Sequence, residues 1–379
     1  MFPCTRRHAR VRPHAKGVPV DYLYTLQCLR ESAPDILNMF LLYVSEYGQY
    51  LGPAIALVIY WCFSKKTGSW MLFSLGWGLT VMDTIKIIAC VPRPWLFDSR
   101  LHLAEQASGS ATGYSFPSGH TTAAATTYGT AAVYASNGPA KSIAKASGMP
   151  NPASGKPPRN TEARTLSGIG TVKKRRVWLT VILIIMVLLV AFARNWLGAH
   201  TLADVTAAIG IAALIACIMY FVMKLVDRKP KADIIVIAVM ALVMAGVMIF
   251  ASVHQFPTVT DGAGNVLELD NYALSMDLWA SMGLCSGWII SWIIERRFID
   301  FSIEGSAKEK LVRAIIGVVI FGLFYMVLSG PMTAWIPNAH AAKFFKRFVS
   351  VVIVGIGMPL GIKWWQNRKA KKTAAAQTE

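Results

Sequence analysis

The sequence predicts an all-α, polytopic integral membrane bundle, and three observations predict it. Charged residues make up only 15% of the 379 positions, and the mean hydropathy is +0.45; a soluble domain carries about 25% charge. The apolar residues gather into long uncharged runs, the clearest being VWLTVILIIMVLLVAFA from Val177 to Ala193. Such a run approaches the ~20 residues that cross a bilayer as a helix. The runs also lack the alternation of a membrane strand, and in lipid only helices and closed barrels satisfy their backbone. The net charge of +18 collects in the loops between the runs. That is the pattern of basic cytoplasmic loops, so the bilayer rather than nucleic acid is the expected partner.

The elements follow in order. The first 20 residues carry Arg6, Arg7, Arg10, Arg12 and Lys16, with no apolar core close enough behind them for a cleaved signal peptide. Residues 21–46 mix apolar groups with Arg30, Glu31, Asp35 and Glu46, and read as an amphipathic helix lying at the interface. Nine spans are expected at 48–63, 69–90, 119–136, 176–194, 200–224, 232–252, 276–295, 311–329 and 346–363. Residues 137–175, rich in Gly, Pro, Ser and Lys, read as a cytoplasmic linker. The expected units are 1–46, a membrane core over 47–228, a four-span extension over 229–365 and a basic tail over 366–379. Lys65-Lys66, the Lys229–Lys231 stretch, Glu295-Arg296-Arg297 and the tail all fall on one side, taken as inside. The opposite loop 253–275 has Asp261, Glu268 and Asp270 but no Lys or Arg, and 330–340 has no charge. An odd span count then places the N-terminus outside, against its basic residues. Either 21–46 inserts or the start is an exception. The six cysteines show no pair spacing, so neither a disulfide framework nor a zinc site is suggested.

Under this topology three polar clusters reach one membrane face. Lys86 and Arg93 end the second span, seven residues apart, with Pro92 and Pro94 stopping the helix. Taken alone they read more readily as a snorkelling pair, with Asp83 as counter-ion to Lys86. Pro117-Ser118-Gly119-His120 opens the third span. Proline suits a first helical turn, and Ser118 and Gly119 then offer backbone N–H groups to an anion at a helix N-terminus. His120 stands beside that anion as a proton donor. His200 and Asp204, at i and i+4, allow the carboxylate to fix the imidazole tautomer and leave the other nitrogen as nucleophile. Arg194 supplies a planar fork suited to phosphate oxygens. Cations, two histidines and one orienting carboxylate, without a carboxylate cluster, fit metal-independent phosphoryl transfer, and no cofactor is expected.

At these residues the chain resembles the type-2 phosphatidic acid phosphatase superfamily, the lipid phosphate phosphatases. The pattern K-x6-R-P, then P-S-G-H, then S-R-x5-H-x3-D is matched in order and spacing over about residues 48–224, except that Ala193 replaces the serine. The resemblance implies that His200 attacks phosphorus to form a phosphohistidine, that Asp204 holds His200, and that His120 protonates the leaving oxygen and then activates water. It implies that Lys86, Arg93, Ser118, Gly119 and Arg194 bind the phosphate. Trp196, where tyrosine is common, is a second, milder departure and is expected to pack. Similar bacterial enzymes act on undecaprenyl pyrophosphate, phosphatidylglycerophosphate or phosphatidate, with the site facing outward from the cytoplasmic membrane. Three other readings stay open: a lipid phosphotransferase, a soluble-ester (sugar) phosphatase, and a lipid transport or scrambling protein built on spans six to nine. In those spans buried charges are expected to be few, and His254 and His340 read as surface histidines. No feature assigns an oligomeric state.

Overall fold

The computed structural model describes residues 21–137, 159–229, 231–261, 263–327 and 334–378. Residues 1–20 and the 138–158 part of the expected linker lie outside that description. Proline sets the first boundary. Pro34 cannot continue a helix, and it disfavours helical geometry in the residue before it. The chain therefore folds as α1 (Asp21–Ser32) and then α2 (Asp35–Cys62). The single amphipathic helix expected over 21–46 is thus two pieces, and α2 continues through Glu46 without a break. Helix α1 buries Leu23, Gln27 and Arg30 along one face. The Arg30 guanidinium donates to the carbonyls of Trp196 (3.2 Å) and His102 (2.9 Å), pinning α1 to the core.

Helix α3 (Lys65–Ala89) starts at Ser64, whose hydroxyl accepts from the Thr67 N–H, and stops at Cys90 in the left-handed region (φ 46°). After α4 (Pro94–Phe97) and a 3-10 turn (Glu105–Ser110), the chain enters α5 (Gly119–Ala124). A π-turn over Ala125–Gly129 joins α5 to α6 (Thr130–Asn137). This element is central and is packed on by α2 and α3. Its Thr122, Thr126, Thr127 and Thr130 hydroxyls are buried and bond back to carbonyls of the preceding turn, which satisfies them without water. A close approach by α2 requires glycine: a Cβ on Gly52 would sit 2.0 Å from Thr127 Oγ1.

Helix α7 (Arg159–Trp196) and α8 (Leu202–Arg228) complete the core. The expected linker therefore ends earlier than its composition suggested, because residues 159–175 are helical and continuous with the span. The extension comprises α9 (Ala232–Val253), α10 (Asn271–Leu274), α11 (Met276–Ile294), α12 (Ala307–Val327), α13 (Ala339–Val352) and α14 (Met358–Thr378). A π-turn over Glu295–Ile299 continues α11, and another over Ile353–Gly357 joins α13 to α14. The most extensive packing is α11 on α13, and α11 also lies along α3. Among the described residues there is no strand, only a single bridge between Thr260 and Val266.

Among the described residues, six helical stretches are long and apolar enough to cross a membrane: Lys65–Phe97, Arg176–Trp196, Leu202–Arg228, Ala232–Val253, Asn271–Ile299 and Ala339–Ala375. The all-helical integral membrane architecture stands, and six of the nine expected spans are of this length and apolarity. Helix α2, the α5–α6 element and α12 occupy the other three expected positions.

The end of the bundle where α3 begins is tied by ion pairs. Lys65 meets Glu295 at 2.7 Å and Asp300 at 2.9 Å, and the Tyr60 hydroxyl donates to Glu295 at 2.9 Å. Asp233 takes Arg296 at 3.1 Å and Arg297 at 2.5 Å, and Lys66 pairs with Asp227. Glu295 and Asp233 are buried, as is Arg313, so the extension holds more buried charge than its hydropathy implied. Pairing makes this tolerable.

Candidate active site

The three polar clusters converge at the other end of α3. Lys86 is buried in the last turn of that helix, its Nζ 3.8 Å from Asp83 Oδ1. Asp83 in turn accepts from Ser281 Oγ of α11 at 2.5 Å. Arg93 lies beyond the end of α3, so helical periodicity does not align it with Lys86. Backbone carbonyls aim it instead: Nε donates to Gly113 (3.0 Å), Nη1 to Ala199 (2.9 Å) and Nη2 to Thr112.

His200 sits in the short connection between α7 and α8, where it is 1% exposed. Its Nε2 is 3.0 Å from Arg93 Nη1, and its Nδ1 is 3.3 Å from Asp204 Oδ2. A guanidinium can only donate, so Nε2 is the acceptor, and the ring proton resides on Nδ1 facing the carboxylate. Asp204 is held twice more on the same oxygen, by Ser115 Oγ (2.6 Å) and by the Thr201 N–H (2.7 Å). Thr201 and Asp204 form a capping box at the start of α8, so the cap and the histidine share one carboxylate.

In the second cluster, Pro117 precedes the helix and Ser118 is its N-cap. The Ser118 N–H, expected to face an anion, donates to the Asp204 carbonyl at 3.2 Å. Its hydroxyl receives Thr121 Oγ1 at 3.0 Å. Gly119 and His120 line the cavity. His120 Nε2 approaches Glu46 Oε1 to 3.3 Å. Arg194 is fully buried behind Glu46, its Nη1 3.1 Å from Ser45 Oγ, 3.2 Å from Ser110 Oγ and 3.5 Å from Glu46 Oε1. Ala193 is buried with Leu41 and Trp196 in an apolar cluster, so the missing serine hydroxyl removes nothing from the cavity wall. Trp196 packs, its indole N–H donating to Asn38 Oδ1 at 2.9 Å.

A cavity of about 530 Å³ opens here, with Lys86, Arg93, Gly119, His120 and His200 on its wall. Asp204, Ser118 and Arg194 stand behind that wall and support it. Sequence reasoning missed Glu46, Asp277, Lys343 and Arg347, which also face the cavity. Asp277 accepts from Thr112 Oγ1 at 2.8 Å. The available signal is a charge inside or beside an apolar run. His254 and His340 are partly exposed and both are engaged by neighbours. His254 Nε2 lies 3.0 Å from the Ile87 carbonyl at the end of α3, and His340 joins Ser275 Oγ (3.0 Å) and the Tyr272 carbonyl (2.9 Å). Among the described residues no group of three or more His, Cys, Asp or Glu is arranged to hold a metal ion.

Comparison with known sequences agrees with the constellation. The family described as PAP2 superfamily matches residues 67–228, and that described as PAP2 superfamily phosphatase, transmembrane extension, matches residues 279–366. No curated protein and no solved structure matches the chain. The core over residues 67–228 is thus similar to the PAP2 superfamily, and most of the stretch left open as a transport or assembly module is similar to the transmembrane extension of PAP2 superfamily phosphatases.

Proposed function

We propose that this protein hydrolyses a lipid phosphate or pyrophosphate through a phosphohistidine, without a metal, at the outward face of a bacterial cytoplasmic membrane. Undecaprenyl pyrophosphate, phosphatidylglycerophosphate and phosphatidate are the candidate lipids. The observation that carries the reading is the Arg93–His200–Asp204 chain opening on a cavity that also holds Lys86 and His120. An arriving phosphate takes the Arg93 donor from His200 Nε2 and so exposes that lone pair. Nε2 attacks phosphorus, the bond to the lipid oxygen breaks, and that oxygen takes a proton from His120. Asp204 balances the charge on the phosphorylated ring. Water then attacks phosphorus and gives a proton to His120, the P–N electron pair returns to Nε2, and phosphate leaves. Lys86 and Arg93 neutralise the equatorial oxygens, Gly119 completes the phosphate cradle on the wall, and Arg194 and Ser118 support it from behind. Nine membrane crossings, with α2, α5–α6 and α12 added to the six most apolar stretches, place the cavity on the face opposite the basic loops.

The test is phosphate release in detergent over prenyl diphosphates, phosphatidate, phosphatidylglycerophosphate and sugar phosphates. Turnover of the lipids in EDTA, with an acid-labile phosphoprotein absent from His200→Ala, is expected. Wild-type rates in His200→Ala would sink the reading. Lipid consumed without matching free phosphate would mark a phosphotransferase. Lipid movement between leaflets without phosphate release would mark a transporter.

A further inference from the structure

The Arg93 guanidinium is aimed by a corner of the chain at Thr112-Gly113, and that corner is held by the extension. Nε donates to the Gly113 carbonyl at 3.0 Å and Nη2 to the Thr112 carbonyl. The fork is planar and rigid, so a shift of those two carbonyls turns the whole group. Gly113 itself supplies no stiffness: it lies in the left-handed region (φ 66°), where glycine is unstrained. Contacts from the extension supply it instead. The Thr112 hydroxyl donates to Asp277 Oδ2, in the first turn of α11, at 2.8 Å. The Tyr114 hydroxyl donates to Asn271 Oδ1 of α10 at 2.5 Å, and the Tyr114 ring stacks on Phe256. A Cβ on Gly113 would lie 3.2 Å from the Leu274 carbonyl oxygen and 3.5 Å from both Asp277 Oδ2 and Lys86 Cδ.

The same strip continues to the nucleophile. The Ser115 hydroxyl donates to Asp204 Oδ2 at 2.6 Å, the oxygen that also faces His200. The Ser115 N–H donates to the Val91 carbonyl at 2.8 Å, two residues before Arg93. Residues 112–115 therefore tie α10 and α11 to the Arg93–His200–Asp204 chain. One turn further along α11, Ser281 bonds Asp83, the neighbour of Lys86. Asp277 lines the cavity, where a carboxylate repels an incoming phosphate. A first-turn carboxylate also suits the helix dipole, and the two roles respond differently to substitution.

Resting on the hydrolytic reading above, we propose that the extension sets the aim of the phosphate-binding fork, with Asp277 as a positioning residue that acts on Arg93 through Thr112. The motifs of the core are then incomplete without α10 and α11.

The experiment uses the full-length protein in detergent and reads two quantities. One is kcat/KM on phosphatidate and farnesyl diphosphate. The other is the affinity for tungstate, a tetrahedral oxyanion, by calorimetry. A tungstate dissociation constant needs no turnover, and a smaller folded fraction does not move it. Thr112→Val removes the bond and keeps the carboxylate. It is expected to weaken tungstate binding about three- to tenfold and to lower kcat/KM by a similar factor. Asp277→Ala is expected to do the same, and the two combined to cost little more than either. Asp277→Asn keeps an acceptor for Thr112 without the charge, and is expected to restore most of what Asp277→Ala loses. With Arg93→Lys, which lacks the fork, Thr112→Val is expected to change tungstate affinity less than twofold. Unchanged tungstate affinity in Thr112→Val overturns the proposal. So does a Thr112→Val effect that survives Arg93→Lys, or an Asp277→Asn as impaired as Asp277→Ala. Lipid turnover absent while the tungstate series behaves as expected sinks the hydrolytic reading and leaves the aiming of Arg93 supported. Normal turnover with a flat tungstate series sinks the aiming alone, and a wild type with neither turnover nor tungstate binding sinks both.

Discussion

Individual residues in this site are held by partners far away in the chain. The three motifs were legible because each is local: His200 and Asp204 are four residues apart on one capping turn, and the structure pairs them. Glu46 was not legible, because its partners His120 and Arg194 come from other helices. A lone carboxylate in an apolar run reads as the edge of a span until those partners are seen. Glu46 lies 3.3 Å from His120 Nε2 and 3.5 Å from Arg194 Nη1, so it is expected to act as a positioning residue for both. Glu46→Gln is expected to lower kcat by about tenfold to a hundredfold with little change in KM, below the 10²–10⁴ that a general acid supplies. Combined with His120→Gln it should cost almost nothing more, because the two act together. Additive losses in that cycle would show that Glu46 serves another purpose. Ala193→Ser is expected to leave turnover within about twofold, since the methyl packs on Leu41 and Trp196; a steady-state assay on phosphatidate decides it, and a large gain would mean that the hydroxyl reaches the site.

Among the elements, hydropathy located nearly every long helix but misjudged what some of them do. The α5–α6 segment was found because Pro117-Ser118-Gly119 announces a helix start, and its alanines and threonines continue it. The start of α2 was missed because charge was weighed without its partner, and Arg159–Arg175 because polar composition was read as a linker. The α11–α13 contact could not be read at all. It depends on Gly283 and Gly287 letting two backbones approach, which spacing alone does not reveal. Gly283→Ala must push α13 outward, carrying Lys343 with it. The expected loss is about 1–3 kcal/mol, seen as a lower melting temperature in detergent. Gly322→Ala, where an added Cβ meets nothing within 4 Å, is the control and should melt like the wild type. An unchanged melting temperature for Gly283→Ala would mean that this approach is not as tight as it stands here.

Across the whole molecule, chemistry and anchoring sit at opposite ends. Lys65 and Lys86 bound the same helix, and 21 positions at about 1.5 Å each separate them by roughly 30 Å. One end carries the cavity and the other carries the ion pairs that lock the extension onto the core. The basic loops had predicted this second end as a single face, and Lys65, Lys66, Arg296 and Arg297 do gather there. Its carboxylates were invisible as a group, since Asp227, Asp233, Glu295 and Asp300 are brought together only by the turns between helices. This separation makes a clean test possible. Glu295→Ala leaves the buried Tyr60 hydroxyl without its acceptor and strips Lys65 of its nearer carboxylate. Losing such a buried acceptor is worth about 1–3 kcal/mol, so the variant should melt several degrees lower. Its kcat per folded molecule should match the wild type, because nothing near His200 has moved. Should kcat fall while the melting temperature holds, the two ends are coupled through α3, and the lock would have to be redrawn as part of the active machinery.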